Sequence, residues 1–260
     1  MSRDARFQDA RGHEQGLARA LKHGTRKEHR TIERVALVRS FLRGAIERDT
    51  YARLLFNLRR IYIQLEAGLT LHRGHPLLGR LYLPVLFRQR ELERDLQALS
   101  AHGVHAPALS GGGAGATGGE AGSAATDRYC QRLAHLTEEE PLLLIGHFYT
   151  RYLGDLSGGQ ILRRLLAPVL ALPPGEGLRF YDFAGYPDTA PLRDQVRQRL
   201  DGLGVDPTGP LGRRLVDEAR HAFALNQALF EELDGSLVSA VLRRYVTPRT
   251  EHAALVPPCA

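Results

Sequence analysis

The residues best suited to chemistry lie in YTRYLGDLSGGQ, Tyr149 to Gln160, where an aspartate stands among three glycines. Each of Gly154, Gly158 and Gly159 costs about 1 kcal/mol relative to alanine inside a helix. A helix that tolerates them has a face without side chains, and the carboxylate of Asp155 lies beside that face. Two interpretations follow: either a second helix crosses closely at the glycines, or a flat ligand lies on them within reach of Asp155.

The letters LSGGQ are also the signature string of ABC-type ATPases, and that function has to be considered. Such an ATPase needs a phosphate-binding loop of the form G-x-x-x-x-G-K-[ST]. The only lysines are Lys22 and Lys27, and neither follows a glycine run of that kind. The remainder of the sequence therefore does not support an ATPase.

A second group of reactive residues comes from one helical strip near the start of the chain. At about 100° per residue, Lys22, His29 and Glu33 fall on the same side of a helix. A neutral imidazole is a usual axial ligand of haem iron, and a carboxylate one turn later can orient it. A lone histidine equally suits a solvated surface. The sequence has no H-E-x-x-H or similar chelating pair, so a site with one histidine ligand is favoured over a zinc site.

Two arginines and two tyrosines complete the set of candidate residues. Arg193 and Arg197 are one helical turn apart and, together with Lys22, suit the binding of a ligand's carboxylates. The alternative is an exposed basic face in an arginine-rich chain. Tyr62 and Tyr149 suit either a hydrophobic core or a buried polar network that uses their hydroxyl groups.

Composition places the chain among soluble globular proteins. Its 260 residues are 43% hydrophobic and 25% charged, which fits one large domain. We expect a cytoplasmic protein without a signal peptide or membrane anchor, because the first residues are charged and no apolar run is long enough to span a membrane. The net charge of +6 favours an anionic small molecule or an acidic protein as partner. No nucleic-acid motif is present, so we expect no nucleic-acid partner.

The elements that must position these residues all have helical periodicity. Apolar residues recur at helical spacing after Leu17, with Gly24 and Gly44 as expected breaks, and most clearly after Asp49, which we expect to be an N-cap. Thr137 and Glu140 suggest a capping box before one long helix that contains the glycine motif. We expect a last helix from Pro210 to Asp234, with Gly235 as its stop. No alternating strand pattern occurs, so the predicted class is all-α.

The domain organisation follows from the same pass along the chain. We expect a flexible N-terminal tail at 1–16, one domain at 17–235 and a C-terminal extension at 236–260. The Gly/Ala/Ser-rich tract at 103–125 interrupts the domain, and we expect it to be a flexible insert because it holds too little apolar area to order itself.

Taken together, the sequence resembles the haem oxygenase family from about Leu17 to Leu233. The resemblance is carried by four blocks in the same order and spacing: LKHGTRKEHRTIE, RIYIQLE, HFYTRYLGDLSGGQ and HAFALNQALFEEL. It implies a single-domain helical bundle in which haem is sandwiched between a proximal and a distal helix. A membrane anchor and the aromatic-containing segment that animal relatives have in place of the insert are missing.

The resemblance also implies roles for individual residues. It matches His29 to the axial iron ligand and Glu33 to the acidic residue one turn later. It places the distal helix at Gly154, Asp155, Gly158 and Gly159. An ordered water network beside the bound oxygen is implied for Tyr62, Tyr149, Arg151 and Asp155. Cations for the haem propionates are implied at Lys22, Arg193 and Arg197, and pocket positions at Phe223 and Asn226.

The implied reaction is the opening of haem at a meso carbon, expected to be the α position, to give biliverdin, carbon monoxide and ferrous iron. Haem b is both substrate and cofactor, and O2 and an external electron donor are required. A ferredoxin, a flavodoxin or an NADPH-dependent flavin reductase fits as donor. Two other hypotheses are a haem-binding sensor or storage protein that leaves the porphyrin intact, and a helical interaction module without haem.

Overall fold

The computed structural model describes residues 16–35, 38–40, 46–104 and 123–246, and of residues 235–246 it describes the backbone only. No strand occurs within these ranges, and the predicted all-α class is confirmed. Short 3₁₀ turns lie at Leu78–Leu81, Pro84–Leu86, Pro141–Leu143 and Arg179–Tyr181. The longer helices are α1 (Leu17–Gly24), α2 (Arg26–Ile32), α3 (Arg48–Leu71), α4 (Gln89–Ala101), α5 (Ala124–Glu139), α6 (Leu144–Asp155), α7 (Gly158–Leu170), α8 (Ala190–Asp201) and α9 (Pro210–Val246).

Helix α3 forms the centre of the bundle and packs against α4, α5 and α6. The apolar series predicted for it is buried along its whole length, which at about 1.5–3 kcal/mol per large side chain makes α3 the main contributor to the core. The series comprises Leu54, Leu55, Leu58, Ile61, Tyr62 and Leu65. The predicted N-cap is wrong, because Glu47 precedes the helix and Asp49 lies in its first turn. A carboxylate in the first turn interacts favourably with the helix dipole, as an N-cap carboxylate does. The acidic residue therefore marks the start of the helix, but the N-cap lies two residues earlier than predicted.

The start and end of α5 also differ from the prediction. The helix begins at Ala124, and the Oγ of Ser123 accepts a hydrogen bond from the Thr126 amide. The last three residues of the predicted flexible insert are therefore ordered, while 105–122 lie outside the described residues. The predicted capping box is wrong, because Thr137 belongs to the last turn of α5 and its hydroxyl donates to the Leu133 carbonyl.

The predicted long helix is divided at the glycine motif. Helix α6 ends at Asp155 and α7 begins at Gly158, with Leu156 and Ser157 between them. Ser157 has φ −115° and ψ −81°, outside the helical region. The break leaves Asp155 at the end of α6.

Helix α9 extends beyond its predicted end. The predicted core positions Leu215, Ala219, Ala222, Leu229 and Leu233 are buried. Gly235 does not stop the helix, and the prediction that it does is wrong, since α9 continues to Val246. A glycine ends a helix where it adopts the left-handed conformation, and otherwise it only weakens the helix by about 1 kcal/mol. Residues 1–15, Gly44 and 247–260 lie outside the described residues, so the domain limits stay predictions.

The N-terminal helices are held against the C-terminal half of the chain. Helix α1 lies against α8 and α9, and α2 lies against α9. Gly24 ends α1 as predicted, and Arg220 of α9 donates a hydrogen bond of 2.8 Å to its carbonyl. No helix in the described part of the chain is both long enough and apolar enough to span a bilayer.

Candidate active site

A buried polar cluster joins three helices next to the glycine motif. The Tyr62 hydroxyl of α3 donates a hydrogen bond to the Asp155 carboxylate at the end of α6. Arg151, one turn before Asp155, donates from Nε to the Tyr62 hydroxyl at 3.2 Å, and its Nη2 lies 3.8 Å from Asp155 Oδ1. Its Nη1 donates to Asn226 Oδ1 of α9 at 2.5 Å. The structure therefore brings together Tyr62, Arg151, Asp155 and Asn226, all buried.

Burial controls the protonation of this cluster. It raises the pKa of Asp155 above its ordinary value, although Arg151, the Tyr62 hydroxyl and Arg88 oppose the rise. Burial also raises the pKa of Tyr62 well above the ordinary value, so Tyr62 stays a donor. Burial would lower the pKa of Arg151, but Tyr62 and Asp155 outweigh it and the guanidinium stays charged. The cluster is a carboxyl group poised to hold a proton beside a fixed cation.

A second buried layer lies behind this cluster. The Glu66 carboxylate accepts hydrogen bonds from the amides of Arg88 and Gln89, and burial raises its pKa to about 7. The Arg88 guanidinium donates to the carbonyls of Leu86 and Phe180 and stacks on Phe183 at 4.1 Å. These groups hold the segment after the 3₁₀ turn at Pro84–Leu86 against α3, and sequence reasoning missed them because their partners are distant in the chain.

His29 stands on the other candidate wall, on α2. Its side chain is 63% exposed, and its Nδ1 lies 3.4 Å from Glu33 Oε1, as the helical spacing predicted. The ring meets Phe223 of α9 edge-on, with 5.9 Å between centroids. Because Glu33 engages Nδ1 and no described residue bonds to Nε2, the geometry leaves one nitrogen for an external ligand.

The glycines next to Asp155 decide between the two interpretations of the motif. A Cβ added at Gly154 or Gly158 would meet no described atom within 4 Å, so none of the described helices crosses at these positions. The close crossing lies at Gly146, where a Cβ would come within 2.9 Å of the Ala219 amide nitrogen of α9. Gly159 is covered by Tyr181, since a Cβ added at Gly159 would lie 3.1 Å from Cδ1 of that ring. Gly154 and Gly158 therefore border open space, as a ligand groove requires.

The surface beside these glycines continues along α7 as an apolar strip. On a helical wheel Leu162 and Leu165 fall on the same side as Gly158. Both are partly exposed, and the neighbouring Ile161 is 48% exposed. Exposed apolar side chains in a row mark a surface that favours an apolar ligand.

The predicted cations lie on α1 and α8. Lys22 is exposed on α1. On α8, Asp194 Oδ1 lies 3.0 Å from Arg197 Nη1 and 4.0 Å from Arg193 Nε. One aspartate thus contacts both arginines. A carboxylate of a bound ligand can take the place of Asp194 in part of these contacts.

The structure does not place Tyr149 in the Asp155 cluster. Tyr149 lies on another side of α6, close to the Thr25 side chain and to the charge of Arg197. Burial raises the pKa of Tyr149, and Thr25 and Arg197 oppose that rise. Sequence reasoning missed Thr25, although it lies one turn after Lys22 and one turn before His29.

Comparison with known proteins agrees with this geometry. The family model described as "Heme oxygenase" matches residues 15–232. The chain belongs to the haem oxygenase family. The match covers all the candidate residues, from Lys22 to Asn226.

Several relatives show how closely this haem oxygenase matches others. Heme oxygenase 1 of Nostoc sp. strain PCC 7120 is 37% identical over 226 residues, 86% of this chain and 89% of the relative. Heme oxygenase 1 of Bos taurus is 35% identical over 227 residues, 86% of this chain and 73% of the relative. The crystal structure of heme oxygenase-1 from Synechocystis sp. PCC6803 in complex with heme matches with a TM-score of 0.75 and 35% identity, covering 89% of this chain and 100% of that chain. The protein is an enzyme that degrades haem.

Proposed function

We propose that this haem oxygenase opens haem at the α-meso carbon to give biliverdin, carbon monoxide and ferrous iron, using O2 and electrons from an external donor. One observation carries the proposal. A buried carboxyl group with a raised pKa, Asp155, lies beside a glycine face that no described residue covers, while the exposed His29 has one ring nitrogen to which no described residue bonds. A haem-binding protein without catalysis does not need the first of these features.

The described residues fit haem as a flat, apolar ligand with two carboxylates. His29 would bind the iron, with Glu33 orienting the ring through Nδ1. The bare backbone at Gly154 and Gly158 would lie against one face of the porphyrin, and Leu162 and Leu165 of α7 would contact its apolar edge. When bound, haem supplies the redox-active iron and the ring carbon that is oxidised.

Asp155 holds and delivers protons in this proposal. Its carboxyl group is buried, its pKa is raised by burial, and the Tyr62 hydroxyl and Arg151 fix its orientation. A carboxyl group held in this way can bind a water in the groove and pass a proton to it. Arg151 and Asn226 keep the cluster rigid, so Asp155 is oriented before the reaction begins.

The cations on α1 and α8 fix the orientation of the ring in its plane. Lys22 and Arg197 would bind carboxylates, and Arg193 would extend the positive surface. The buried Thr25 and Tyr149 hydroxyls lie at the same corner. Orientation matters because one meso carbon must be presented to the reacting oxygen.

The electron donor is proposed from charge. The chain has a net charge of +6, so an acidic ferredoxin or flavodoxin, or the flavin domain of an NADPH-dependent reductase, would be attracted to it. We place the reaction in the cytoplasm, where such donors are reduced. Rates of reduction that fall steeply with ionic strength would support this assignment.

The experiment that tests the function follows the absorption spectrum. Purified protein is mixed with haemin, a reductant and oxygen. The Soret band should disappear and the broad red absorption of biliverdin should replace it. A Soret band that persists through repeated reduction in air would contradict the proposal and favour a sensor or storage protein.

A further inference from the structure

The N-terminus of α1 is capped by a residue from another helix. Gly16, the residue before α1, has no side chain to accept the first amides. Asp201, the last residue of α8, takes this role: its Oδ1 accepts a hydrogen bond of 2.8 Å from the Ala18 amide. Capping side chains normally accept from this same position, the second or third residue of the helix.

The position of Asp201 is unfavourable for α8 itself. A carboxylate at the C-terminus of a helix faces the negative end of the helix dipole, while one at an N-terminus faces the positive end. Asp201 therefore stabilises α1 and not its own helix. Gly16 makes the contact possible, because a Cβ there would lie within 2.5 Å of Asp201 Cγ. The end of α8 is held in turn by Arg199, whose Nη1 donates to the Arg80 carbonyl at 2.8 Å.

This contact lies next to the cations of the proposed site. Lys22 is one turn after Ala18 on α1, and Arg197 is one turn before Asp201 on α8. Helices α1 and α8 pack against each other, and Lys22 and Arg197 each lie about 6 Å along their own helix from the Asp201 contact. Tyr149 supports an arrangement with both cations on one side of the contact, since it lies close to Thr25 at the α1–α2 turn and to the charge of Arg197.

We propose that Asp201 is a positioning residue: by tying α1 to α8 it holds Lys22 in register with Arg197 and fixes how the haem carboxylates are bound. This inference rests on the proposed function. In the absence of the tie, α1 keeps its local fold but can shift along α8, and the two cations no longer match the spacing of the carboxylates. The meso carbon that is oxidised would then vary.

The test compares variants that separate two effects of Asp201: the link between α1 and α8, and the capping of α1. Asp201→Ala removes both the link and the cap. Asp201→Asn keeps an acceptor oxygen. Gly16→Ser combined with Asp201→Ala restores a local cap, because Gly16 has extended backbone angles of φ −64° and ψ 154° and the nearest obstructing atoms all belong to Asp201. Asp188→Ala is the control, since Asp188 accepts from the Ala190 amide at the start of α8 and links no second helix.

Three quantities are measured: the thermal midpoint, the preference for haemin over its dimethyl ester, and the distribution of biliverdin isomers. Asp201→Ala should lower the preference for haemin roughly threefold to tenfold and give mixed isomers. The double variant should regain the thermal midpoint but neither of the other two quantities. Asp201→Asn and Asp188→Ala should retain the wild-type preference and a single isomer.

Two outcomes overturn the inference. In the first, Asp201→Ala keeps the wild-type preference and isomer distribution. In the second, the double variant recovers both, which would reduce Asp201 to a helix cap. Failure of the proposed function would be seen in the wild-type protein, as an absence of haemin binding or ring opening, and the inference would fall with it.

Discussion

Tyr62 and Asp155 are joined by a hydrogen bond in which the tyrosine donates, and both side chains are buried. The donor comes from the central helix α3 and the acceptor from the end of α6, so the helix at the centre of the bundle fixes the carboxyl group. The bond favours the carboxylate, whereas burial favours the protonated form and is the larger effect. Asp155 is thereby kept as a group that can hold a proton without losing its orientation.

Replacing Asp155 should separate haem binding from haem cleavage. We expect Asp155→Ala to bind haemin with nearly unchanged affinity, because the carboxyl group is not needed to hold the ring. Ring opening should slow by roughly 10²–10⁴-fold, the usual contribution of a positioned acid or base. Single-turnover spectra with haemin, a reductant and oxygen measure the rate, and a wild-type rate of biliverdin formation would remove Asp155 from the proposed mechanism.

Replacing either of two glycines of α6 by alanine should change the stability of the haem-free protein in opposite directions. Gly146→Ala should lower the free energy of unfolding by about 1–3 kcal/mol, because the new methyl group meets the α9 backbone at Ala219. Gly154→Ala should stabilise the haem-free protein by up to about 1 kcal/mol through helix propensity. It should nevertheless weaken haemin binding roughly tenfold, since its methyl group enters the groove.

Urea unfolding and haemin titration of both variants check this pair. Unchanged haemin affinity in Gly154→Ala would show that the groove does not contact the ligand at this position.

The sequence pattern was sufficient for the features that depend on local periodicity. The buried series of α3, the spacing of His29 and Glu33, and the face cleared by Gly154 and Gly158 all follow from about 100° per residue. The structure brings Tyr62, Arg151 and Asp155 together, but their grouping came from the resemblance, because their spacing alone did not show that α3 and α6 are neighbours.

Features that depend on distant contacts could not be predicted. The resemblance assigned Tyr149 to a water network with Asp155, which stays a prediction; its position near Thr25 could not be predicted, since the pattern of one helix does not show which neighbour faces each side. The Asp201 contact joins residues 183 positions apart. Gly235 was expected to stop α9, but glycine permits a helix end without requiring it.

A buried carboxylate on α9 should make stability depend on acid pH. Burial would raise the pKa of Glu218, but hydrogen bonds from His147 and Arg132 outweigh it and lower the pKa to about 2. Because the folded pKa lies below the unfolded value of 4.5, the stabilisation is present above pH 4.5 and is lost as the pH falls towards 2.

We expect Glu218→Gln to lower stability at pH 7 and to make it less dependent on pH between about 4.5 and 2. Urea unfolding at a series of pH values measures both effects. Glu231→Gln is the matched control, because Glu231 is exposed on the same helix and, among the described residues, accepts a hydrogen bond from Gln227 alone. If the free energy of unfolding of Glu218→Gln falls with acid pH as steeply as that of the wild type, Glu218 is not the cause of the pH dependence.

His29 should be replaceable by a ligand from solution. We expect His29→Ala to fold normally, since the side chain is exposed, but to lose the strong axial ligand and ring opening. Added imidazole should restore both in part, because the removed ring leaves space on α2 in front of Phe223. His23→Ala is the control, an exposed histidine at the end of α1. Full activity of His29→Ala without imidazole would place the axial ligand elsewhere.

Tyr149 and Tyr62 should have separable effects when each loses its hydroxyl group. Tyr149→Phe removes the group that contacts Thr25 near Arg197, so we expect weaker haemin binding by roughly threefold to tenfold and a smaller preference over the dimethyl ester. Tyr62→Phe removes the donor to Asp155, so we expect slower ring opening with little change in affinity. The pKa of Asp155 should also rise, because the lost bond favoured its carboxylate, and the pH profile of ring opening should move to higher pH. If Tyr149→Phe instead slows ring opening and keeps normal haemin affinity, the result would support the role in the water network that the resemblance implied for Tyr149.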